Sequence, residues 1–313
     1  MINEEKVIIS NDINLGATIA YKDKKEKRPL VLLISGTGSF DRDGNSLGFK
    51  SNIYKELSDM FVQMGYVCIR YDKRGTHESK SSGLNFGLSD LVNDSANVIH
   101  YAKKLDYVDE EKVVVCGHSE GAMIATLLTK DKNFDLKGII LLSGACMSLK
   151  DAMLYQNYLI LDQVKDMKGI LGCFLRTKIN KVSIEKQISD FFSKAEHSDK
   201  NIYFYKGSII STKYIREHNA LTKETFINLL KQYKGKILAL TGMSDVQAYF
   251  RALEDISLFD NVTISTPKQV NHVLRDVDGE LNIMDIKREY KLSFKKPISS
   301  KIRTSINDWS EKL

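Results

Sequence analysis

Three residues define the chemistry open to this chain: Ser119 in CGHSEGA, Asp245 in TGMSD and His272 in KQVNH. A serine hydroxyl is a poor nucleophile until a base takes its proton, and a third group commonly holds that base in orientation. Serine, acid and histidine follow one another at separations of 126 and 27 residues, an order in which such triads occur. Acyl transfer also passes through an oxyanion, which needs preorganised donors. The N–H of Glu120, the residue after the serine, is one candidate. The loop SGTGSFDRDGN (35–45) offers the other, with the N–H of Thr37 as first choice and Gly38 as second.

These residues are useful only if the elements around them bring them together. In VVVCGHSEGAM three β-branched residues lead into two glycines bracketing the serine, and ATLL then suits a helix. A GxSxG match alone is weak, but one that closes a strand and opens a helix reads as a nucleophile elbow. KILALTG (236–242) ends just before Asp245, and VTIST (262–266) just before His272, so strand-end loops carry both. The first twenty residues alternate as two short strands joined at Asn11-Asp12. The buried-strand run LVLLIS follows Pro29, and VCIRYD (67–72), KVVVCG (112–117) and GIILLSG (138–144) alternate with helical stretches. That alternation predicts βαβ crossovers, a mostly parallel twisted sheet and helices on both faces.

The alternation stops after residue 149. Ile184, Ile188, Phe191 and Phe192, then Phe226, Leu229, Leu230 and Tyr233, recur at helical spacing. We therefore expect a core domain of residues 1–149 and 236–313, interrupted by a mainly helical cap of residues 150–235. The segment holds 11 of the 28 aromatic residues, among them Tyr155, Tyr158, Phe174 and the run Tyr203-Phe204-Tyr205; most read as packing helices together, and a few could line a ligand pocket. Between Lys150 and Lys234 there are 15 Lys/Arg against 9 Asp/Glu, so this segment carries the whole net charge of +6. Solvated lysines on amphipathic helices explain most of that excess, and attraction of an anionic substrate is the sharper reading.

Competing residues are worse placed. His118 neighbours the serine on a strand and points away from it, His100 lies within a helix, and His197 and His218 fall in the insertion. Asp255 and Asp260 read as surface residues. No basic cluster coincides with a nucleic-acid-binding motif, and the loop at 35–45 lacks both GxGxxG and the P-loop lysine, which argues against a nucleotide. Cys68, Cys116, Cys146 and Cys173 show no CxxC or metal-ligand spacing. No metal, cofactor or membrane span is expected, the longest apolar runs being far too short to cross a bilayer. The N-terminus lacks the apolar core of a secretory signal, and a cytoplasmic location is expected.

Five motifs, in order, resemble those of the α/β-hydrolase superfamily, within it the bacterial serine-aminopeptidase-like and small-ester esterase group. GTGSFDRDGN is similar to that group's GSGPxDRDGN, YDKRGTHES to YDxRGxGxS, and GHSEGA to GHSEGG; TGMSD and Asn271-His272 complete the set. The resemblance implies an α/β-hydrolase fold with Ser119 as nucleophile, Asp245 as acid, His272 as base, and the Thr37 and Glu120 N–H groups as oxyanion hole. It implies cofactor-free hydrolysis of small carboxylic esters of short to medium acyl chain; an aminopeptidase or acyl-thioesterase would use the same triad. A non-catalytic binding protein would be expected to have lost a triad member, and none is missing. His77 stands where the group has a glycine, Ser39-Phe40 replaces a glycine-proline-like turn, and Ala122 replaces a second glycine. Asp41, Arg42 and Asp43 read as an ion-pair network fixing the loop, the alternative being that Arg42 meets Glu120 or a substrate carboxylate.

Overall fold

The computed structural model describes residues 1–10, 12–81, 85–131, 134–205 and 207–313. The chain opens with β1 (Asn3–Ser10) and β2 (Asn14–Tyr21), an antiparallel pair in which Ser10 faces Asn14. Asn11, one of the two expected turn residues, lies outside the described residues. Next come β3 (Arg28–Ile34), the two-residue strands β4 (Asn45–Ser46) and β5 (Phe49–Lys50), α1 (Ile53–Gln63), β6 (Val67–Tyr71) and α2 (Leu88–Ala102). β7 (Val108–His118), α3 (Glu120–Leu128) and β8 (Gly138–Leu142) complete the first part of the sheet. Beyond the next segment, β11 (Lys236–Leu240), β12 (Val262–Ser265), α9 (Ile286–Ser293) and α10 (Ser300–Ser310) close the chain.

The eight-stranded sheet has the order β1-β2-β6-β3-β7-β8-β11-β12. β1, β2 and β6 pair antiparallel, and the neighbours from β6 to β12 pair parallel. Period-two alternation divides each central strand between two cores. Leu30, Leu32 and Ile34 face one core with α2 and α3, while Val31 and Leu33 face the other with α1 and α10. Val113 and Val115 against Val114 and Cys116 repeat this split in β7. Because the six parallel strands run one way, the loops that follow them gather along one edge of the sheet.

The segment between β8 and β11 contains α4 (Leu149–Asp166), α5 (Gly169–Lys178), α6 (Lys181–Glu196), a hairpin of β9 (Ile202–Tyr205) and β10 (Ser208–Ser211), α7 (Thr212–Asn219) and α8 (Lys223–Gln232). Ser148 and Asp151 form a capping box that starts α4. Ile184, Ile188, Phe191, Phe192 and Ile215 make a small core of their own, whereas Phe226 and Leu230 of α8 join the main core. The aromatic run at 203–205 departs from the helical expectation: it is strand β9. Tyr203 and Tyr205 turn to Phe191, with ring centroids 6.0 and 4.5 Å away, and Phe204 is left exposed. No helix among the described residues is long and apolar enough to cross a membrane.

Candidate active site

Ser119 caps α3 immediately after β7, with φ 56° and ψ −119°. A non-glycine residue held there stores about 1–3 kcal/mol of backbone strain, which the surroundings must over-determine. They do so by close approach. A Cβ on Gly117 would fall 2.0 Å from the Gly121 carbonyl oxygen, and one on Gly121 would fall 2.2 Å from that of Ile34. The two glycines of GHSEG are therefore what allows strand, turn and helix to nest. The Ser119 N–H donates to Leu142 O at 2.8 Å, fixing the elbow to β8.

Asp245 and His272 meet as the sequence order suggests. His272 Nδ1 lies 2.9 Å from Asp245 Oδ2 and 3.1 Å from Oδ1. Asp245 is 1% exposed, and its Oδ1 accepts the N–H groups of Gln247 and Ala248, each at 2.8 Å. That leaves His272 Nδ1 as the donor and Nε2 free of the carboxylate. The two loops are laced by Ser244 N–H to Val270 O at 3.1 Å and Met243 N–H to Pro267 O at 3.0 Å. Arg275, fully buried and paired with Glu56 at 2.7 Å, ties the His272 loop to α1.

Ser119, His272, Thr37 and Glu120 line one cavity of about 770 Å³, within the range of small-molecule sites. Asp245 stands behind His272. Glu120 is the first residue of α3, so its N–H has no partner within the helix. Thr37 and Tyr214 stand together on the lining of this cavity. Among the described residues no group of His, Cys, Asp and Glu is arranged to hold a metal.

Several site residues escaped the sequence reading. The Gly36 N–H donates to Tyr54 Oη at 2.7 Å, that hydroxyl lies 3.1 Å from His118 Nδ1, and His118 Nε2 lies 2.8 Å from the His272 carbonyl oxygen. With Tyr54 donating to Nδ1, Nε2 carries the proton and donates to the carbonyl. His118, expected to point away from the serine, thus links the loop at 35–45, through Tyr54, to the His272 loop. Burial first, then the neighbouring His272 ring, lowers its pKa to about 3, so it stays neutral.

The Glu120 carboxylate is equally engaged. Lys73 and Tyr214 donate to it, and His218 Nε2 lies 3.3 Å away. Burial pushes its pKa up, but the Lys73 ammonium and the His218 ring outweigh that and hold it well below the ordinary glutamate range. Burial and the Glu120 charge raise the Tyr214 phenol well above its ordinary value. Arg42 pairs with Asp72 at 3.0 Å and with Glu78, and Arg70 with Asp43 at 2.7 Å. The alternative of an Arg42–Glu120 pair is not formed. His77 is exposed at φ 41° and does not line the cavity. Its positive φ is the physical reason a glycine suits that position. His100 packs on Phe134 with ring centroids 4.9 Å apart, and His197 caps α6; both lie outside the cavity.

A family model described as "Serine aminopeptidase, S33" matches residues 46–203, just over half of the chain. The chain belongs to the serine aminopeptidase family of α/β-hydrolases. The matched span includes Ser119 and stops short of Asp245 and His272. Among solved structures, Est1E of Butyrivibrio proteoclasticus with bound ferulic acid is similar at 17% identity and TM-score 0.58, covering 91% of this chain and 96% of that one. A thioesterase domain from the curacin biosynthetic pathway is similar at 13% identity and TM-score 0.52, with 93% and 98% covered. Such likeness places the chain in the family's fold and goes no further. Ribosomal RNA small subunit methyltransferase A of Borrelia garinii subsp. bavariensis is 26% identical over 244 residues, 75% of this chain and 79% of that one. An identity of 26% shows no shared family.

Proposed function

We propose that this hydrolase cleaves carboxylic esters of short to medium acyl chain through an acyl-enzyme on Ser119. The observation that carries the reading is the buried Asp245–His272 pair opening, through His272, onto the same cavity as a serine held at φ 56°. His272 Nε2 takes the Ser119 proton as Oγ attacks the ester carbonyl. The Glu120 and Thr37 N–H groups receive the oxyanion. His272 then passes the proton to the departing alcohol. Water, deprotonated by the same nitrogen, attacks the acyl-serine; the acid departs and His272 returns the proton to Ser119 Oγ. Asp245 holds the imidazole and stabilises its charge without itself taking a proton.

Residues 150–235 act as the cap in this reading, setting acyl or alcohol size, with α8 rooted in the main core. Amide cleavage at a free N-terminus is the weaker alternative, because an aminopeptidase needs a carboxylate for the amine. Among the described residues lining the cavity, the one carboxylate belongs to Glu120, and Lys73, Tyr214 and His218 already engage it. Thioester cleavage would use the same triad and needs no such group. The test is kcat/KM on short p-nitrophenyl esters, aminoacyl-arylamides and acyl-CoA thioesters. Esters should lead by orders of magnitude, and Ser119→Ala should lose about 10³-fold or more. Equal activity in wild type and Ser119→Ala would sink the proposal.

A further inference from the structure

The cavity carries a charge pattern that ester cleavage by the triad does not use. Its charged lining residues, among those described, are Glu120, Lys287 and Lys291, with histidines set aside. The negative charge of Glu120 is neutralised in place by Lys73. Lys287 and Lys291 stand one turn apart on α9, exposed at the cavity, and form no ion pair among the described residues. Of the nearby basic residues, Arg288 pairs with Asp285 and Lys296 with Asp278, and Lys295, also without an ion pair among the described residues, stands off the cavity wall. Two like charges at this spacing repel one another, and an anion between them would relieve that repulsion. The wall beside them is apolar, with Phe294 against Phe49 at 4.6 Å and edge-on, and Phe49 against Phe40 at 5.8 Å.

We propose that Lys287 and Lys291 form an anion subsite at the cavity mouth. The substrates are then esters whose end remote from the scissile carbonyl bears a carboxylate or a phosphate, with the aromatic wall holding the spacer between. This rests on the ester-cleavage reading for its chemistry, but the subsite itself stands on α9 and can be tested separately. The subsite also gives the cavity a net preference opposite to that of an amine-binding peptidase. Because both ammonium groups are exposed, the preference is screened by salt.

The experiment compares p-nitrophenyl esters of matched acyl length ending in a methyl group, a carboxylate or a phosphate. The ratio of kcat/KM, anionic over neutral, should fall about tenfold in Lys287→Gln/Lys291→Gln and severalfold when salt is raised to about 1 M. Lys295→Gln, an exposed lysine off the cavity wall, should keep the wild-type ratio. The double variant Lys287→Glu/Lys291→Glu should turn the preference towards esters ending in an amine. Whichever of carboxylate and phosphate gains more identifies the anion. An unchanged ratio in both double variants would overturn the subsite. If no ester is turned over, the ester reading fails on its own, and titration calorimetry with glutarate and with a short alkyl phosphate decides the subsite. Weaker binding in Lys287→Gln/Lys291→Gln then supports it, and equal or absent binding overturns it.

Discussion

The sheet edge and the segment above it are held by different means. At the sheet edge each loop is tied to its neighbour by backbone hydrogen bonds, Ser119 N–H to Leu142 O, Ser143 N–H to Leu240 O and Thr241 N–H to Ser265 O, at 2.7 to 3.1 Å. Buried glycines with no room for a methyl group reinforce this. Residues 150–219 instead pack around a small core of their own and leave Ile170, Leu171, Phe174 and Val182 exposed. They meet the edge through side chains: Tyr155 Oη to Asp245 O at 2.9 Å, Gln156 to Gln247 O at 3.3 Å, and Tyr214 and His218 to Glu120. One region is over-determined by backbone geometry, while the other is docked by side chains, through these polar contacts and through Ala152, Tyr155 and Tyr214 packed against the main core. Damage to the first should therefore appear in the chemical step, and damage to the second in substrate binding.

The largest effect belongs to the edge. Asp245→Asn keeps the shape of the loop but no longer holds the His272 tautomer, and kcat should fall about 10³–10⁴-fold with KM within a fewfold. A loss below tenfold would mean that the Asp245–His272 pair serves only structure. A smaller effect of the same region is expected with acid. His118 has a folded pKa of about 3 against an ordinary 6.5, so the unfolded chain takes up a proton first. Its contribution to stability is complete above pH 6.5 and is lost as pH falls towards 3, at up to about 1.4 kcal/mol per pH unit. Glu120, also depressed, adds loss of the same sign only below its ordinary 4.5. Denaturant unfolding between pH 6.5 and 4.5 should show a shallower slope in His118→Gln than in wild type. Equal slopes would contradict a neutral, buried His118.

The smallest effect belongs to the docked segment. Tyr214→Phe removes one donor from Glu120 while Lys73 and His218 remain, at a cost of about 1 kcal/mol in stability. KM should rise severalfold while kcat stays within about twofold. A fall in kcat with unchanged KM would erase the distinction between the two regions.

Much of the edge was legible because its signals are local. β-branched runs mark buried strands, the glycines of GHSEG mark the tight elbow, and loops just past two strand-like runs hold Asp245 and His272. The doubly wound sheet followed from the alternation, and its expected strand limits differ from the observed ones by a few residues at most. The links between elements were not legible. Tyr54 looks like one more apolar residue of an amphipathic helix, and only the fold brings its hydroxyl to His118, 64 positions away. Lys73 and Tyr214 reach Glu120 from 47 and 94 positions away, with no periodicity to announce them. The β9–β10 hairpin was missed because Tyr-Phe-Tyr alternates over only three residues, too few to separate strand from helix.

The claim that Ser119 is the nucleophile has one direct test, mass mapping of the folded protein after exposure to a fluorophosphonate. We predict a single adduct on Ser119, absent in Ser119→Ala and slowed about 10³-fold or more in His272→Ala. An unlabelled Ser119 in folded wild type, or labelling that ignores His272, would contradict the triad.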